Sequence, residues 1–220
     1  MDNIIGLVIS VVFIFAIMGM SAILMKHGGL SNEGSRKFIH IGVSHWWIIA
    51  MIFFDNIFYA TIIPVLFIVF NYLSYRFQFV DSMERDGGKK DLGTVYYPIS
   101  LFILMVLSFT GYSELYIGAL GVLIMGYGDG FAAVAGKRYG RYTFKVMGNT
   151  KTVEGCIAMF VFSFAIAFVI LGLYSSAPIP LVAWVIAGFA TIIEAISPYG
   201  LDNLTVPLLT SGFYMFFFYN

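Results

Sequence analysis

The chain has 220 residues, 60% of them hydrophobic and only 11% charged, and its acidic and basic residues balance at zero net charge. A soluble globular domain carries roughly twice that charge fraction, and a neutral chain has no bulk attraction for nucleic acid, so no such partner is expected. The single cysteine, Cys156, excludes an intrachain disulfide and a cysteine-based metal site.

Repeated apolar runs, long enough to cross about 30 Å of hydrocarbon, predict an all-α, polytopic membrane bundle in one domain spanning 1–220. Strands of a membrane barrel would alternate, and these runs do not. The first run, about 3–25, has no basic leader and no small-residue cleavage site, so it reads as a retained helix. Further spans follow at about 37–54, 57–75, 95–110, 115–136, 154–173, 180–196 and 203–219. Only Asp55 and Asn56 part the second from the third, and Pro64 predicts a kink in the third.

The charges support eight spans. All twelve Lys and Arg then fall in, or at the helix ends bordering, the connections after spans one, three, five and seven. The positive-inside rule makes that side cytoplasmic and puts both termini outside. The outer connections, "DN", "TGYS" and "YSSAPI", are short, so chemistry on a charged, water-soluble substrate is expected on the inner side. The lack of an organelle-targeting extension points to a prokaryotic cell membrane.

Five inner stretches carry the unusual residues. "SRKFIHIG" opens the second span; Arg36 and His40, and Lys37 and His40, have the spacing of one helix face. Arg36 and Lys37 suit an interfacial anchor, whereas His40 points a turn deeper. His45, deeper still, reads as a satisfied core histidine. "MERDGGKKDLGTVYYP" has the mixed charge of a solvated loop, with Glu84, Lys90 and Asp91 as minor site candidates.

The third stretch, "GYGDGFAAVAGKRYG", sets Asp129 among glycines inside the fifth span. If that span runs to Gly136, Asp129 lies roughly 10 Å below the interface. An ionised carboxylate there needs a cation, a donor or water. Glycines at 126, 128 and 130 permit the close approach of a ligand or a helix, or a local break in the helix.

The fourth, Gly136 to Gly155, offers Lys137, Arg138, Lys145 and Lys151 to a polyphosphate. Thr150 or Thr152 is placed to cap the sixth span, with Glu154 in its first turn. The glycine spacing is not that of a P-loop. The fifth, "EAISPYGLDNLTVP", puts Glu194 at the close of span seven and Asp202 and Asn203 at the start of span eight. Basic groups suit phosphates, and Asp129, Glu154, Glu194 and Asp202 suit a hard cation such as Mg²⁺. Apolar walls below suit a lipid tail. Together these favour phosphoryl or nucleotidyl transfer to a membrane lipid.

"RKFIH", "GDGFAAVAGKRYG", "KTVEG" and "GLDNLTVP", in this order from Arg36 to Pro207, resemble the polyprenol kinase family. That family includes phytol and farnesol kinases, dolichol kinase and CTP-dependent diacylglycerol kinase. The Gly-Asp-Gly and Lys-Thr-x-Glu-Gly elements are also similar to those of phosphatidate cytidylyltransferases; the terminal "DNLTVP" tilts toward the kinases. The resemblance implies transfer of the γ-phosphoryl of CTP to a lipid hydroxyl, with Mg²⁺. Asp129 and Asp202, with Glu154 or Glu194, are then expected to hold the metal. Arg36, Lys37, Lys137, Arg138, Lys145 and Lys151 would meet the nucleotide, with Gly128, Gly130, Thr152 and Asn203 near it. His40 or an unused carboxylate would take the hydroxyl proton. A cytidylyltransferase is the nearest alternative. An ion-coupled transporter fits less well, because its site belongs near the midplane at a repeat interface. Nothing in the sequence specifies an oligomeric state.

Overall fold

The computed structural model describes residues 2–77, 92–176 and 178–219. In chain order these form α1 (Asn3–Lys26), α2 (Asn32–Ser44), α3 (Trp46–Phe53), α4 (Ile57–Phe77), α5 (Gly93–Phe109) and α6 (Leu115–Ile124). A π-helical turn (Met125–Asp129) joins α6 to α7 (Gly130–Tyr139). The strands β1 (Thr143–Val146) and β2 (Asn149–Thr152) precede α8 (Val153–Tyr174), α9 (Ile179–Ile196) and α10 (Asp202–Phe218). The fold is therefore mostly helical but not purely so.

The departure from an all-α chain is the β1–β2 hairpin. Its antiparallel register pairs Phe144 with Lys151 and Val146 with Asn149. Met147 and Gly148, at φ 45° and 81°, make the turn. Two successive left-handed residues match the twist of a two-residue hairpin loop, which usually carries Asn-Gly.

The predicted span 37–54 also differs. It is two helices meeting at His45, and the first starts earlier, where the Ser31 hydroxyl accepts from Gly34 N–H at 3.2 Å. An N-cap satisfies one of the amides a helix start leaves unpaired. At the opposite end of the bundle, Asn3 clasps the α3–α4 corner. Its amide donates to Asp55 Oδ1 at 2.7 Å, and its carbonyl accepts from Asp55 N–H at 3.2 Å.

Burial ranks the helices. The segment Leu115–Tyr139 is the core of the bundle, and every residue from Ile117 to Ile124 is buried. Trp47 of α3 lies over Gly118 and donates its indole N–H to the Leu115 carbonyl at 2.9 Å. Trp46 donates to Ser10 of α1 at 2.8 Å. By contrast, α1 leaves Ile4, Val8, Val12 and Phe15 exposed. Such apolar outer faces belong against lipid, where helices meet their own backbone hydrogen bonds. By length and hydropathy, five helical segments among the described residues can cross a bilayer: Asn3–Lys26, Ile57–Phe77, Leu115–Tyr139, Val153–Tyr174 and Ile179–Ile196. The apolar α5 and α10 are shorter, at 17 residues each.

Candidate active site

Asp129 ends the π turn in the middle of the central segment and is buried. A π turn inserts an extra residue into a helix and so redirects the side chains around it. Two neighbours hold it in place. The Tyr127 hydroxyl bonds His45 Nε2 at 2.8 Å, while His45 Nδ1 lies 2.9 Å from the Ile41 carbonyl. His45 is thus the satisfied core histidine expected from sequence.

The surrounding glycines serve packing. A Cβ at Gly126 would stand 2.5 Å from the Ser44 side chain, one at Gly128 2.5 Å from the Met159 sulfur, and one at Gly130 2.5 Å from Ile41. Gly128 and Gly130, expected beside the nucleotide, are therefore filled against α8 and α2. Small residues let those helices close on the π turn.

Two further carboxylates reach Asp129. Glu194 comes from the last turn of α9, and Asp202 opens α10 after a reversal through Tyr199 and Gly200, both at positive φ. All three are buried, and one oxygen from each lies within 4.8 Å of the others. Three carboxylates so close repel strongly unless cations join them. Lys37 of α2 pairs with Asp129, and Lys151 of β2 pairs with Glu194. Asp202 accepts from Asn203 N–H at 3.0 Å and from the Asn203 amide at 3.2 Å, and no ammonium bonds it among the described residues.

Lys151 explains the hairpin. Burial alone would lower its pKa, but the Glu194 carboxylate, with Asp202 and Asp129 behind it, outweighs burial and holds the ammonium above its usual range. Its charge persists below that range and is lost only as pH rises through the higher value.

Other expected site residues lie elsewhere or work differently. Glu154 Oε1 accepts from Arg141 N–H at 3.0 Å and Tyr142 N–H at 3.4 Å. Its carboxylate anchors the hairpin to α8 and is not one of the clustered three. Thr152 caps α8, its hydroxyl accepting from Gly155 N–H at 3.0 Å. Lys145 is exposed and pairs with Thr150, so it projects from the opposite face of the hairpin to Lys151. Lys137 reaches Glu33 at 3.5 Å, and the Arg138 guanidinium lies 5.4 Å from the centre of the Tyr139 ring. Glu84, Lys90 and Asp91 lie outside the described residues.

A cavity opens beside the cluster. Arg36, Lys37, His40, Asp129, Asp202 and Asn203 line its polar end. Ile14, Met18, Val43, Phe67 and Leu101 line the rest. Sequence reasoning missed two of its polar residues, Asn71 and Tyr97. The available signal was an amide set in the inner half of an apolar span.

The donor set suits a hard divalent cation: three buried carboxylates, two of them paired with lysines.

The chain is 34% identical over 194 residues to a phytol kinase of Synechocystis sp., which covers 86% of this chain and 82% of that protein. It is 30% identical over 198 residues to a probable chloroplastic phytol kinase of Triticum aestivum, covering 80% of this chain and 64% of the relative. A CTP-dependent diacylglycerol kinase of Schizosaccharomyces pombe is 29% identical over 130 residues, covering 54% of this chain and 57% of its own. No family model and no solved structure matches.

Proposed function

The chain belongs to the polyprenol kinase family, and from that premise we propose that it moves the γ-phosphoryl of CTP to the hydroxyl of a membrane lipid alcohol at the cytoplasmic face. Isoprenoid alcohols of the phytol, farnesol, polyprenol or dolichol type are the acceptors in this reading, which the phytol kinase relatives support, with diacylglycerol the variant. One observation carries the reading. A cluster of Asp129, Glu194 and Asp202, paired with Lys37 and Lys151, adjoins a cavity that Asp129 and Asp202 line together with apolar residues of α1, α4 and α5. That places charge-handling groups and a greasy surface within one site. If the chain crosses eight times, its basic residues fall on one side, and the positive-inside rule supports a cytoplasmic site.

In such a reaction the alcohol oxygen forms a bond to the γ-phosphorus, the bond from that phosphorus to the β–γ bridging oxygen breaks, and CDP leaves. Positioning and charge neutralisation supply most of the catalysis. Asp129, Asp202 and Glu194 would hold Mg²⁺, which when bound offsets the charge of the phosphate oxygens. Arg36 and Lys37, which line the cavity, and Lys151, which pairs with Glu194, would neutralise the triphosphate. Asn203 braces the Asp202 carboxylate. His40 lines the cavity with Nε2 lacking a partner among the described residues, so it is free to take the hydroxyl proton.

The test is incubation of purified protein with Mg²⁺, a panel of lipid alcohols, and γ-labelled CTP or ATP. The reading expects labelled lipid phosphate and free CDP. Release of pyrophosphate with cytidine left on the lipid would replace it with the cytidylyltransferase reading.

A further inference from the structure

The cavity beside the carboxylates holds an unusual set of polar atoms. Among the described residues, three of its lining side chains each carry a buried atom with no hydrogen-bond partner: His40 Nε2, Asn71 Oδ1 and Tyr97 Oη. Asn71 and Tyr97 are only 7% and 6% exposed. A buried polar atom left unpaired destabilises the fold, so three around one cavity ask for a polar ligand there. The Asn71 amide nitrogen is already committed to the Thr94 carbonyl at 2.7 Å, which turns Oδ1 out as an acceptor. The His40 and Tyr97 rings lie against each other with centroids 4.3 Å apart, so the two groups act on one region.

The rest of the lining has a different chemistry. Ile14 and Met18 come from α1, Phe67 from α4, and Leu101 from α5. Along α5 the lining runs from Gly93 to Leu101, a descent of roughly 12 Å into the bundle at helical rise. The cavity is therefore polar at the carboxylate end and apolar below, which is the polarity of a lipid carrying a single hydroxyl head.

We infer that this groove between α1, α2, α4 and α5 is the acceptor site, with Asn71 and Tyr97 binding the hydroxyl-bearing end of the lipid and directing it at Asp129 and Asp202. The inference rests on the lipid-alcohol reading above. A hydroxyl donates one hydrogen bond and accepts two. In the bound alcohol it satisfies Asn71 Oδ1 as donor and Tyr97 as acceptor, and as the oxygen reacts its proton passes to His40 Nε2 beside the Tyr97 ring, while the chain runs down between Met18, Phe67 and Leu101. Two sources share this chemistry, an isoprenoid alcohol and a diacylglycerol.

The experiment is photolabelling of the full chain in detergent, without nucleotide, by an isoprenoid alcohol bearing a diazirine in its tail. Peptides of α1, α4 and α5 should take the label. Unlabelled isoprenoid alcohol or diacylglycerol should compete, and the stronger competitor identifies the source. Label confined to other surfaces would overturn the groove even if γ-phosphoryl transfer is intact. Competition by a lipid phosphate alone would overturn both the hydroxyl site and the kinase reading. Two variants separate binding from folding. Tyr97→Phe and Asn71→Leu should raise KM for the alcohol roughly fivefold to tenfold, the worth of one hydrogen bond. KM for the nucleotide should stay unchanged, and Tyr97→Phe should melt no lower without lipid, since it deletes an unpaired buried hydroxyl. A fall in melting temperature with both KM values unchanged would make these residues structural and overturn the assignment.

Discussion

In the proposed reaction the chemistry turns on Asp129 and Asp202. Asp129→Asn keeps an acceptor for Lys37 but loses the charge, so the protein should insert and fold while turnover falls at least about 100-fold, the scale of losing one charge-stabilising group. Asp202→Asn should do the same. Near-normal turnover in both would remove them from the reacting centre. The lysines offer a sharper contrast. Lys151→Met should cost about as much, because it also strands the buried Glu194, whereas Lys145→Met, on the other face of the hairpin, should change kcat/KM by less than roughly threefold. Parallel assays of the two variants check this. The residues that matter were legible because a charge inside an apolar run has few reasons to be there. Glu154, expected beside the metal, lies outside the clustered three and accepts two backbone amides at Oε1, an arrangement that sequence alone does not display. Asn71 and Tyr97 escaped notice because a neutral polar side chain in a span looks like packing until its partners are counted.

The elements show why the site holds its shape. A Cβ at Gly121 would overlap the Pro207 carbonyl and the Ser211 hydroxyl, so α6 and α10 touch backbone to backbone there. Gly121→Ala should destabilise the fold by about 1–3 kcal/mol, the usual cost of overpacking. Gly172→Ala, on the exposed side of α8 with no atom within 4 Å, should be neutral or slightly stabilising. Unfolding in detergent compares the two, and equal effects would contradict the packing account. Most helices were readable as apolar runs; α8, α9 and α10 begin within a residue of their expected starts. The hairpin was not. "TFKVMGNTKT" does alternate, but its lysines read as contacts for a polyphosphate, and Met-Gly is a weak turn signal. The π turn was equally hidden, since an inserted residue leaves the run of apolar positions unbroken. His45 divides one expected span because the helix stops there to aim the imidazole at Tyr127.

At the scale of the whole molecule, one central segment carries the acid, and the surrounding helices bring the other charges to it from one end. On an eight-span reading the Lys and Arg gather on one side, which marked that end before any contact was known. With Cys156 replaced by alanine, single cysteines at Lys26 and Lys145 should react with a membrane-impermeant maleimide in inverted vesicles and not in intact cells. Labelling from outside would reverse the orientation. The account depends most on Asp129, Glu194 and Asp202 forming one metal-nucleotide site, and Mn²⁺ binding followed by electron paramagnetic resonance tests it directly. In the presence of CTP the wild-type chain should take up Mn²⁺ tightly, and Asp129→Asn and Asp202→Asn should each weaken that uptake at least about tenfold. Unchanged Mn²⁺ affinity in both variants would contradict it.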